Sequence, residues 1–320
     1  MGKQDILMHN YVPENLRVGG SWWSAAHVLL SSQGLRTHDV STPKISDEQL
    51  GRVLDLDPGL VFLYWRWPME LYPERQAAYE RQLSILVWAM DKKKSIVIFD
   101  GDLQPGAEEA ADAARYAGCQ VKLVAPMLYP KAGYEQLFYP MVHYFWSLIQ
   151  PKQYDFCYVG NNYGRYDTMK ATLNKQFFAQ LDNRIFGNWM KPSPSRATSE
   201  TVKHDFPFIQ FFDPIQPFEA MLELSFARFT YHFAKPEYER YGFVTMRWQE
   251  AAAAGCLGFV TDGFRLTKEL DLAYRLPLET AYPADYSEYI KAVKSQYKVL
   301  RYLFPPDNWS SFLLNMTKAA

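Results

Sequence analysis

Short runs of uncharged, often β-branched residues alternate along this chain with longer amphipathic segments. The first half has predicted strands over 5–8, 35–40, 60–64, 95–99 and 120–124, and predicted helices over 21–32, 74–91 and 106–117. Strands that are apolar on both faces are typical of parallel sheets covered by helices. The alternation therefore predicts an α/β fold.

The alternation begins again after a proline-rich connection over 126–152. The second half has predicted strands over 155–159, 184–186, 206–211, 226–232 and 256–260, and predicted helices over 166–181, 218–224, 246–254 and 286–304. Two such halves predict two Rossmann-like domains that face each other across a ligand cleft. We expect a first domain at 1–150, a second at 151–285, and a terminal helix at 286–320 that packs across the junction and returns to the first domain.

Composition limits the classes of function. Hydrophobic residues make up 48% of the chain and charged residues 22%, as in globular proteins, and a net charge of −1 provides no global field that would attract nucleic acid. The longest uncharged run, 136–151, is broken by Pro140 and is too short to span a bilayer. Without a signal-peptide pattern, and with Cys119, Cys157 and Cys256 in apolar contexts, we expect a cytoplasmic protein.

The stretch 242–262 combines a loop, a short helix, a turn and a buried strand. Its helix carries Arg247 and Glu250, which are three residues apart and share a face. Near a helix N-terminus, an arginine and the backbone N–H groups can hold a diphosphate, and a glutamate one turn later can accept two hydrogen bonds from a ribose diol. The alternative for this pair is an ion pair on the surface.

Two glycine-containing turns could also approach an anion. Gly160 and Asn161 follow a predicted strand, and Arg165 stands near the start of the next helix, where it could bind phosphate oxygens. Gly19 and Gly20 lie between a strand and a helix and would let the backbone approach an anion or a sugar closely. A plain tight turn is the alternative, because the full G-x-G-x-x-G pattern is missing.

Two carboxylates, Asp100 and Asp102, follow the predicted strand at 95–99. They lie at its carboxyl end, the edge at which open parallel sheets bind ligands, and one of them could act as a general base toward an acceptor hydroxyl. Asp-x-Asp after a strand could instead hold a divalent metal on a nucleotide diphosphate, or Asp100 could cap a turn. The histidines are scattered singly, without the spacing of a metal site.

A basic stripe runs along the terminal helix beside its apolar stripe. Lys291, Lys294, Lys298 and Arg301 recur at spacings of three, four and three. Such a stripe could contact DNA phosphates. The alternative is a solvated helix face, with a DNA surface that includes other residues. The other candidates are Arg17, Lys131 and Lys152.

The second half resembles the phage DNA β-glucosyltransferases, enzymes of the GT-B architecture. The resemblance covers 154–187, which contains YDFCYVGNNYGRYDTMK and IFGN, and 243–264, which contains FVTMRWQE. In the first half, IVIFDGDLQP resembles the family's strand that ends in a carboxylate followed by proline. It implies that the family's catalytic aspartate falls at Asp100 or Asp102. The residues that it implies for binding the nucleotide sugar are Gly19, Gly20, Gly160, Asn161, Arg165, Pro214, Ile215, Arg247 and Glu250.

Within that set, the resemblance implies that Gly160, Asn161, Arg165 and Arg247 hold the diphosphate and that Glu250 binds the ribose. It also implies backbone contacts from the turn at 213–215 to the base, and a loop at 19–20 over the sugar.

The resemblance implies transfer of a hexose from a UDP-sugar, with UDP-glucose as the expected donor. The acceptor would be the hydroxymethyl group of 5-hydroxymethylcytosine or 5-hydroxymethyluracil in double-stranded DNA, flipped out of the stack and attacking by direct displacement with an aspartate as base. We expect a monomer in the host cytoplasm, with no membrane partner and no required divalent metal. The alternatives are the same chemistry on a small molecule, glycan or protein, which the net charge of −1 suits better, and a non-catalytic module that binds modified DNA or a nucleotide sugar.

Overall fold

The computed structural model describes residues 5–10, 22–41, 45–68, 73–140, 151–162, 164–191, 197–305 and 307–318. The chain divides into two compact units, residues 1–140 with 305–320, and residues 141–304. Each unit is built on one parallel sheet whose strands alternate with helices, so the predicted α/β class is confirmed. Across these described ranges, no helix has both the length and the apolar character that crossing a membrane requires.

The first unit contains a six-stranded parallel sheet. Its strands are β1 (Asp5–His9), β2 (Arg36–Asp39), β3 (Leu60–Tyr64), β4 (Ser95–Phe99), β5 (Val121–Ala125) and β6 (Glu135–Gln136). The helices between them are α1 (Trp22–Ser32), α2 (Asp47–Leu54), α3 (Pro73–Asp91) and α4 (Ala107–Tyr116). The strand order is β2-β1-β3-β4-β5-β6, and β3 and β4 are buried along their whole length. Residues that follow these two strands are therefore placed by the most buried part of the sheet.

The second unit contains a five-stranded parallel sheet. Its strands are β7 (Tyr154–Val159), β8 (Asn183–Phe186), β9 (Gln210–Phe212), β10 (Ala227–Tyr231) and β11 (Leu257–Phe259). Its helices are α5 (Tyr166–Thr172), α6 (Lys175–Phe178), α7 (Ser199–Asp205), α8 (Pro217–Phe226), α9 (Pro236–Tyr241), α10 (Met246–Ala253), α11 (Lys268–Tyr274) and α12 (Tyr286–Leu303), with short 3-10 turns at Asn188–Met190 and Leu278–Ala281. The strand order is β11-β10-β7-β8-β9.

The last two helices belong to different units. In the second unit, the buried Gln296 of α12 accepts a hydrogen bond from the Gly258 N–H at 2.9 Å and donates to the carbonyls of Gly258 and Ala273 at 2.7 and 2.8 Å. The final helix, α13 (Asp307–Lys318), lies in the first unit. There the ring of Trp309 lies 5.1 Å from that of Phe62, between centroids. The chain therefore returns to the first unit at residue 305.

Two predicted elements of the second half differ from the structure. The helix predicted over 166–181 is interrupted because Asn174 caps a new helix: its side chain accepts the N–H groups of Gln176 and Phe177 at 2.9 and 3.2 Å. The strand predicted over 206–211 begins only at Gln210, because Phe206 ends α7 and is buried in the core. Local hydrogen bonding and burial override the apolar pattern at both places.

Candidate functional site

The order of the strands in the second sheet reverses between β7 and β10. These strands are neighbours, but the chain passes from β7 to β8 and β9 on one side and then returns to β10 on the other. Loops that leave two such strands diverge, and the carboxyl edge between them is the usual ligand site of an open parallel sheet. In this sheet the two loops begin at Gly160 and His232.

Two glycines bring the loops after β7 and β8 into backbone contact. A Cβ atom on Gly187 would lie 2.2 Å from the carbonyl oxygen of Gly160, and a Cβ atom on Gly160 would lie 2.6 Å from the hydroxyl of Tyr158. Real Cβ atoms do not approach other atoms so closely, so both positions require glycine unless their surroundings shift. The turn after β7 is therefore packed closely at Gly160, against the Tyr158 ring and the backbone at Gly187.

Hydrogen bonds hold that turn in one shape. The Asn161 side-chain oxygen accepts the N–H of Asn188 at 3.0 Å, and the Asn188 side-chain oxygen accepts the N–H of Asn162 at 2.9 Å. The indole of Trp189 donates to the carbonyl of Gly160 at 2.7 Å. Asn161 thus shapes the turn by binding the neighbouring loop.

Arg165 directly precedes α5, and its half-buried guanidinium spans the strand reversal. Its Nη1 donates to the carbonyl of Asn161, after β7, at 3.0 Å, and its Nε donates to the carbonyl of Phe233, after β10, at 3.2 Å. A guanidinium has five N–H donors, so these two bonds fix its position and leave it able to donate to an anion.

Arg247 lies in the first turn of α10 and pairs with Glu250. Its Nη1 donates to Oε2 of Glu250. The ion pair that the sequence left as an alternative is therefore present, but it is not a surface pair, because the Glu250 side chain is only 7% exposed. A buried carboxylate needs such a partner. α10 thus presents a positioned guanidinium at its positive end.

Tyr158 interacts electrostatically with both arginines. Its phenol is buried, and burial raises the pKa of Tyr158, while the positive charges of Arg165 and Arg247 both act against that rise. Both guanidiniums therefore act electrostatically on Tyr158, near the end of β7.

Pro214 and Ile215 lie in the turn between β9 and α8, at the carboxyl edge of the same sheet. Pro214 is exposed, whereas Ile215 packs against the apolar cluster that contains Val159 and Phe186. Phe212 stacks on Phe186 with ring centroids 4.8 Å apart. The turn is thus anchored by apolar contacts, and the exposed Pro214 leaves part of it open to solvent.

In the first unit, Asp100 follows β4 and is fully buried. One of its oxygens accepts the N–H of Gln104 and the other accepts the hydroxyl of Tyr134, both at 2.8 Å. Burial raises the pKa of Asp100 to about 6, and the two hydrogen bonds act against that rise. Both oxygens are therefore engaged in holding the loop.

Asp102 has a different environment from Asp100. Its side chain is 38% exposed, and its Oδ2 accepts a hydrogen bond from Nη1 of Arg66 at 2.8 Å. Arg66 in turn lies over the ring of Tyr64, 4.2 Å from the centroid. Of the two carboxylates, Asp102 is the one that a molecule in solution can reach.

Both carboxylates of the metal alternative have protein partners in the structure. Protein N–H and O–H donors already bind both oxygens of Asp100, and a guanidinium binds Asp102. Among the residues that the structure describes, no three His, Cys, Asp or Glu side chains are grouped as metal ligands.

The predicted basic stripe lies on α12, whose buried face is formed by Val293, Gln296 and Leu300. All four basic residues are exposed: Lys291, Lys294, Lys298 and Arg301. The stripe therefore faces solvent, as both a DNA surface and a solvated helix face would.

The structure brings one group of predicted residues together at the carboxyl edge of the second sheet. The group comprises Gly160, Asn161, Arg165, Arg247 and Glu250. Gly19 and Gly20 lie outside the described residues. Sequence reasoning did not identify Tyr158 and Asn188 as part of the site. A signal was present for both, since Tyr158 lies two residues before Gly160 and Asn188 ends the IFGN segment.

Comparisons with known proteins add a fold relationship. No protein-family model and no curated protein matches the chain. An α-glucosyltransferase in complex with UDP and a 13-mer DNA containing an HMU base has a TM-score of 0.67 at 11% identity, over 99% of this chain and 100% of that chain. An α-glucosyltransferase with UDP and a 13-mer DNA containing a central A:G mismatch has a TM-score of 0.64 at 11% identity, over 94% and 95%.

The fold is GT-B. The predicted resemblance to DNA glucosyltransferases is thus confirmed at the level of the fold, which is all that an identity of 11% shows. The sequence resemblance is to the β-enzymes, whereas both solved structures are α-glucosyltransferases.

Proposed function

We propose that this protein is a glycosyltransferase that moves a hexose from a UDP-sugar to a hydroxymethylated pyrimidine in DNA. The observation that carries the proposal is the placement of two arginines: Arg165 bridges the strand reversal of the second sheet through the carbonyls of Asn161 and Phe233, and Arg247 stands in the first turn of α10. The fold supports it, because similar structures hold UDP and DNA with an HMU base. UDP-glucose is the expected donor.

A nucleoside diphosphate fits this edge by charge and geometry. Two guanidiniums supply planar sets of N–H donors that match phosphate oxygens, and the positive end of α10 adds backbone N–H groups. We assign the diphosphate to Arg165 and Arg247, with Asn161 as the residue that keeps the turn in place.

The nucleoside half of the donor would contact Glu250 and the turn after β9. Glu250 is buried with Arg247 as partner, and a ribose diol would add two O–H donors to its carboxylate. Backbone groups of Pro214 and Ile215 would bind the base.

We assign the general base to Asp102. A base must come within hydrogen-bond reach of the hydroxyl that it deprotonates, and Asp102 is exposed, whereas both oxygens of the buried Asp100 bind protein donors. The hydroxymethyl oxygen attacks the anomeric carbon and its proton passes to Asp102. The bond between the sugar and the diphosphate breaks, and Arg165 and Arg247 stabilise the charge on the departing UDP.

The configuration of the product distinguishes two courses for this transfer. Direct displacement inverts the anomeric centre, so an α-linked UDP-sugar gives a β-linked product. The similar structures are α-glucosyltransferases. An α-linked product would show that the transfer retains configuration and does not proceed by a single displacement. The anomeric proton coupling in the NMR spectrum of the isolated nucleoside reads the result directly.

DNA binding requires a local surface, because the net charge of −1 gives no general attraction. We assign that surface to the exposed stripe of α12, comprising Lys291, Lys294, Lys298 and Arg301. The acceptor base would leave the stack to present its hydroxymethyl group, because a base inside the duplex is shielded.

Nucleoside mass spectrometry tests the proposal. Duplexes that contain 5-hydroxymethyluracil, 5-hydroxymethylcytosine or neither are incubated with a panel of UDP-sugars, digested and analysed. We expect one hexose on a hydroxymethylated nucleoside and none on the unmodified duplex. Consumption of the donor with transfer only to glycans or small molecules would favour the alternative acceptors. UDP binding without any transfer would favour a binding module.

A further inference from the structure

A rigid segment of three residues, Trp65 to Trp67, directly follows β3 at the carboxyl edge of the first sheet. The indole of the buried Trp65 donates to the carbonyl of Pro105 at 2.9 Å. The backbone of Arg66 is held on both sides by the buried Gln82, whose side-chain oxygen accepts its N–H at 3.0 Å and whose amide donates to its carbonyl at 3.2 Å. The segment is therefore fixed before any ligand arrives.

Trp67 ends this segment with an indole that is 40% exposed. One edge of the ring meets Gly106, where a Cβ atom would lie 2.8 Å from Cζ3 of the indole. Tyr79 packs against the ring at an angle of 61°, with centroids 5.6 Å apart. The indole is thus supported from within the unit while part of its surface faces solvent.

Exposure alone would mean little, because single exposed aromatic residues are common. The location of Trp67 is more specific. The preceding residue, Arg66, binds the exposed carboxylate of Asp102, and both lie at the edge where parallel sheets bind ligands. A supported aromatic ring binds a flat molecule at a low cost in conformational entropy.

We infer that Trp67 is the surface on which the acceptor pyrimidine stacks while Asp102 receives the proton of its hydroxymethyl group. This inference rests on the proposed function, and it adds an acceptor subsite to it. Stacking uses the face of the ring, so the subsite selects an unstacked planar base and does not distinguish uracil from cytosine derivatives.

Kinetics of three variants test the subsite. Trp67→Ala should raise the KM for hydroxymethylated duplex by about 5- to 150-fold, the range for the loss of one base–aromatic stack. Trp67→Phe keeps a stacking face and should raise it much less. The matched control is Tyr116→Ala, which removes a 97% exposed aromatic side chain at the other end of α4 and should leave KM unchanged. UDP affinity should stay at the wild-type value in all three variants, whereas the melting temperature of Trp67→Ala should fall because its ring packs against Tyr79 and Gly106.

An unchanged KM in Trp67→Ala would overturn the inference. An increase in KM of the same size in Trp67→Phe as in Trp67→Ala would also overturn it. So would a parallel loss of UDP affinity, because the indole would then only support the loop at Gly106. If the wild type transfers no sugar, the proposed function fails first. Fluorescence polarisation with a duplex that carries one mismatched pyrimidine then tests stacking alone, and equal affinities of wild type and Trp67→Ala would overturn it.

Discussion

The carboxyl edges of the two sheets carry opposite chemistry on the same kind of scaffold. At the second sheet, Arg165 binds the turn after β7, and Arg247 lies in the first turn of α10. At the first, Asp100 and Asp102 follow a buried strand. Both sheets are parallel, so the strands alone do not determine what each edge binds. The loop residues place guanidiniums at one edge and carboxylates at the other.

The loops within each edge are also held in place in different ways. At the second, backbone approaches at Gly160 and Gly187 bring two loops into contact. At the first, buried polar side chains such as Asp100 and Gln82 bind the loops. If the edges have separate roles, then damage to one should spare the function of the other.

The largest expected effect is on turnover. Asp102→Asn should lower the rate of sugar transfer by about 10²- to 10⁴-fold, the usual contribution of a general base, while UDP affinity stays unchanged because the base acts in the transition state. Single-turnover kinetics and calorimetry measure the two quantities. Asp112→Asn is the control, since it removes another carboxylate of the first unit that pairs with an arginine. A large loss of UDP affinity that excess Mn²⁺ restores would contradict separate roles for the two edges.

A second variant sharpens the assignment of the ribose. Glu250→Gln should weaken UDP by about 10- to 150-fold, the range for a hydrogen bond to a charged group, and should weaken pyrophosphate much less. Glutamine still offers an oxygen to Arg247, so the diphosphate contact is preserved. Glu237→Gln, an exposed change on α9, is the control. Equal losses for UDP and pyrophosphate would show that Glu250 acts only through Arg247.

The basic stripe gives a smaller effect that depends on salt. The double variant Lys294→Ala/Lys298→Ala should make the slope of log K for modified duplex against log salt shallower by about 2, with UDP affinity unchanged. Lys175→Ala/Lys203→Ala removes two exposed lysines of the second unit outside α12 and should not change the slope. An unchanged slope in the α12 variant would place the DNA surface elsewhere.

The smallest expected effect is on stability, and its sign differs between the two edges. The folded-state pKa of Asp100, about 6, exceeds its ordinary value of 3.8, so burying its charge costs stability as pH rises through this window. The free energy of unfolding of Asp100→Asn should therefore increase relative to the wild type by about 1–2 kcal/mol between pH 4 and 6. This value allows for a weaker hydrogen bond from Tyr134. Urea unfolding at several pH values measures it, and a difference independent of pH would contradict it.

His232 lies at the start of the loop after β10, and its titration should change stability with pH in the opposite direction to that of Asp100. It stacks on Trp248 with ring centroids 4.5 Å apart, and burial lowers its pKa from 6.5 to about 3. The unfolded chain takes up this proton first, so stability falls as pH drops from 6.5 toward 3. His232→Phe should flatten that fall in the same unfolding series. A fall as steep as that of the wild type would show that other groups cause it.

Much of the fold could be predicted because burial on both faces leaves a clear pattern. The bounds of β3 and β4 match the predicted strands at 60–64 and 95–99. Helix α2 was missed although its signal is local: Ser46 and Gln49 form a capping box. The break before α6 depends on Asn174, whose capping role an apolar pattern does not reveal.

The site could be predicted only in part. The arginines and glycines of the second edge stand in short local motifs, but the contact from Arg165 to the Phe233 carbonyl joins residues 68 apart in the chain. Likewise, the local sequence does not indicate which of Asp100 and Asp102 is buried and which is exposed. The difference arises because Tyr134 and Arg66, from distant parts of the chain, bind one carboxylate each.

The proposal that Arg165 and Arg247 bind one diphosphate is tested most directly by isothermal titration calorimetry with UDP and uridine. Arg165→Ala and Arg247→Ala should each weaken UDP by about 1.5–3 kcal/mol and leave uridine affinity unchanged, because only UDP carries the charge that the guanidiniums bind. The double variant should lose an amount that differs from the sum, since two groups on one ligand are coupled. UDP affinity equal to that of the wild type in both single variants would contradict a nucleotide-diphosphate site at the second sheet.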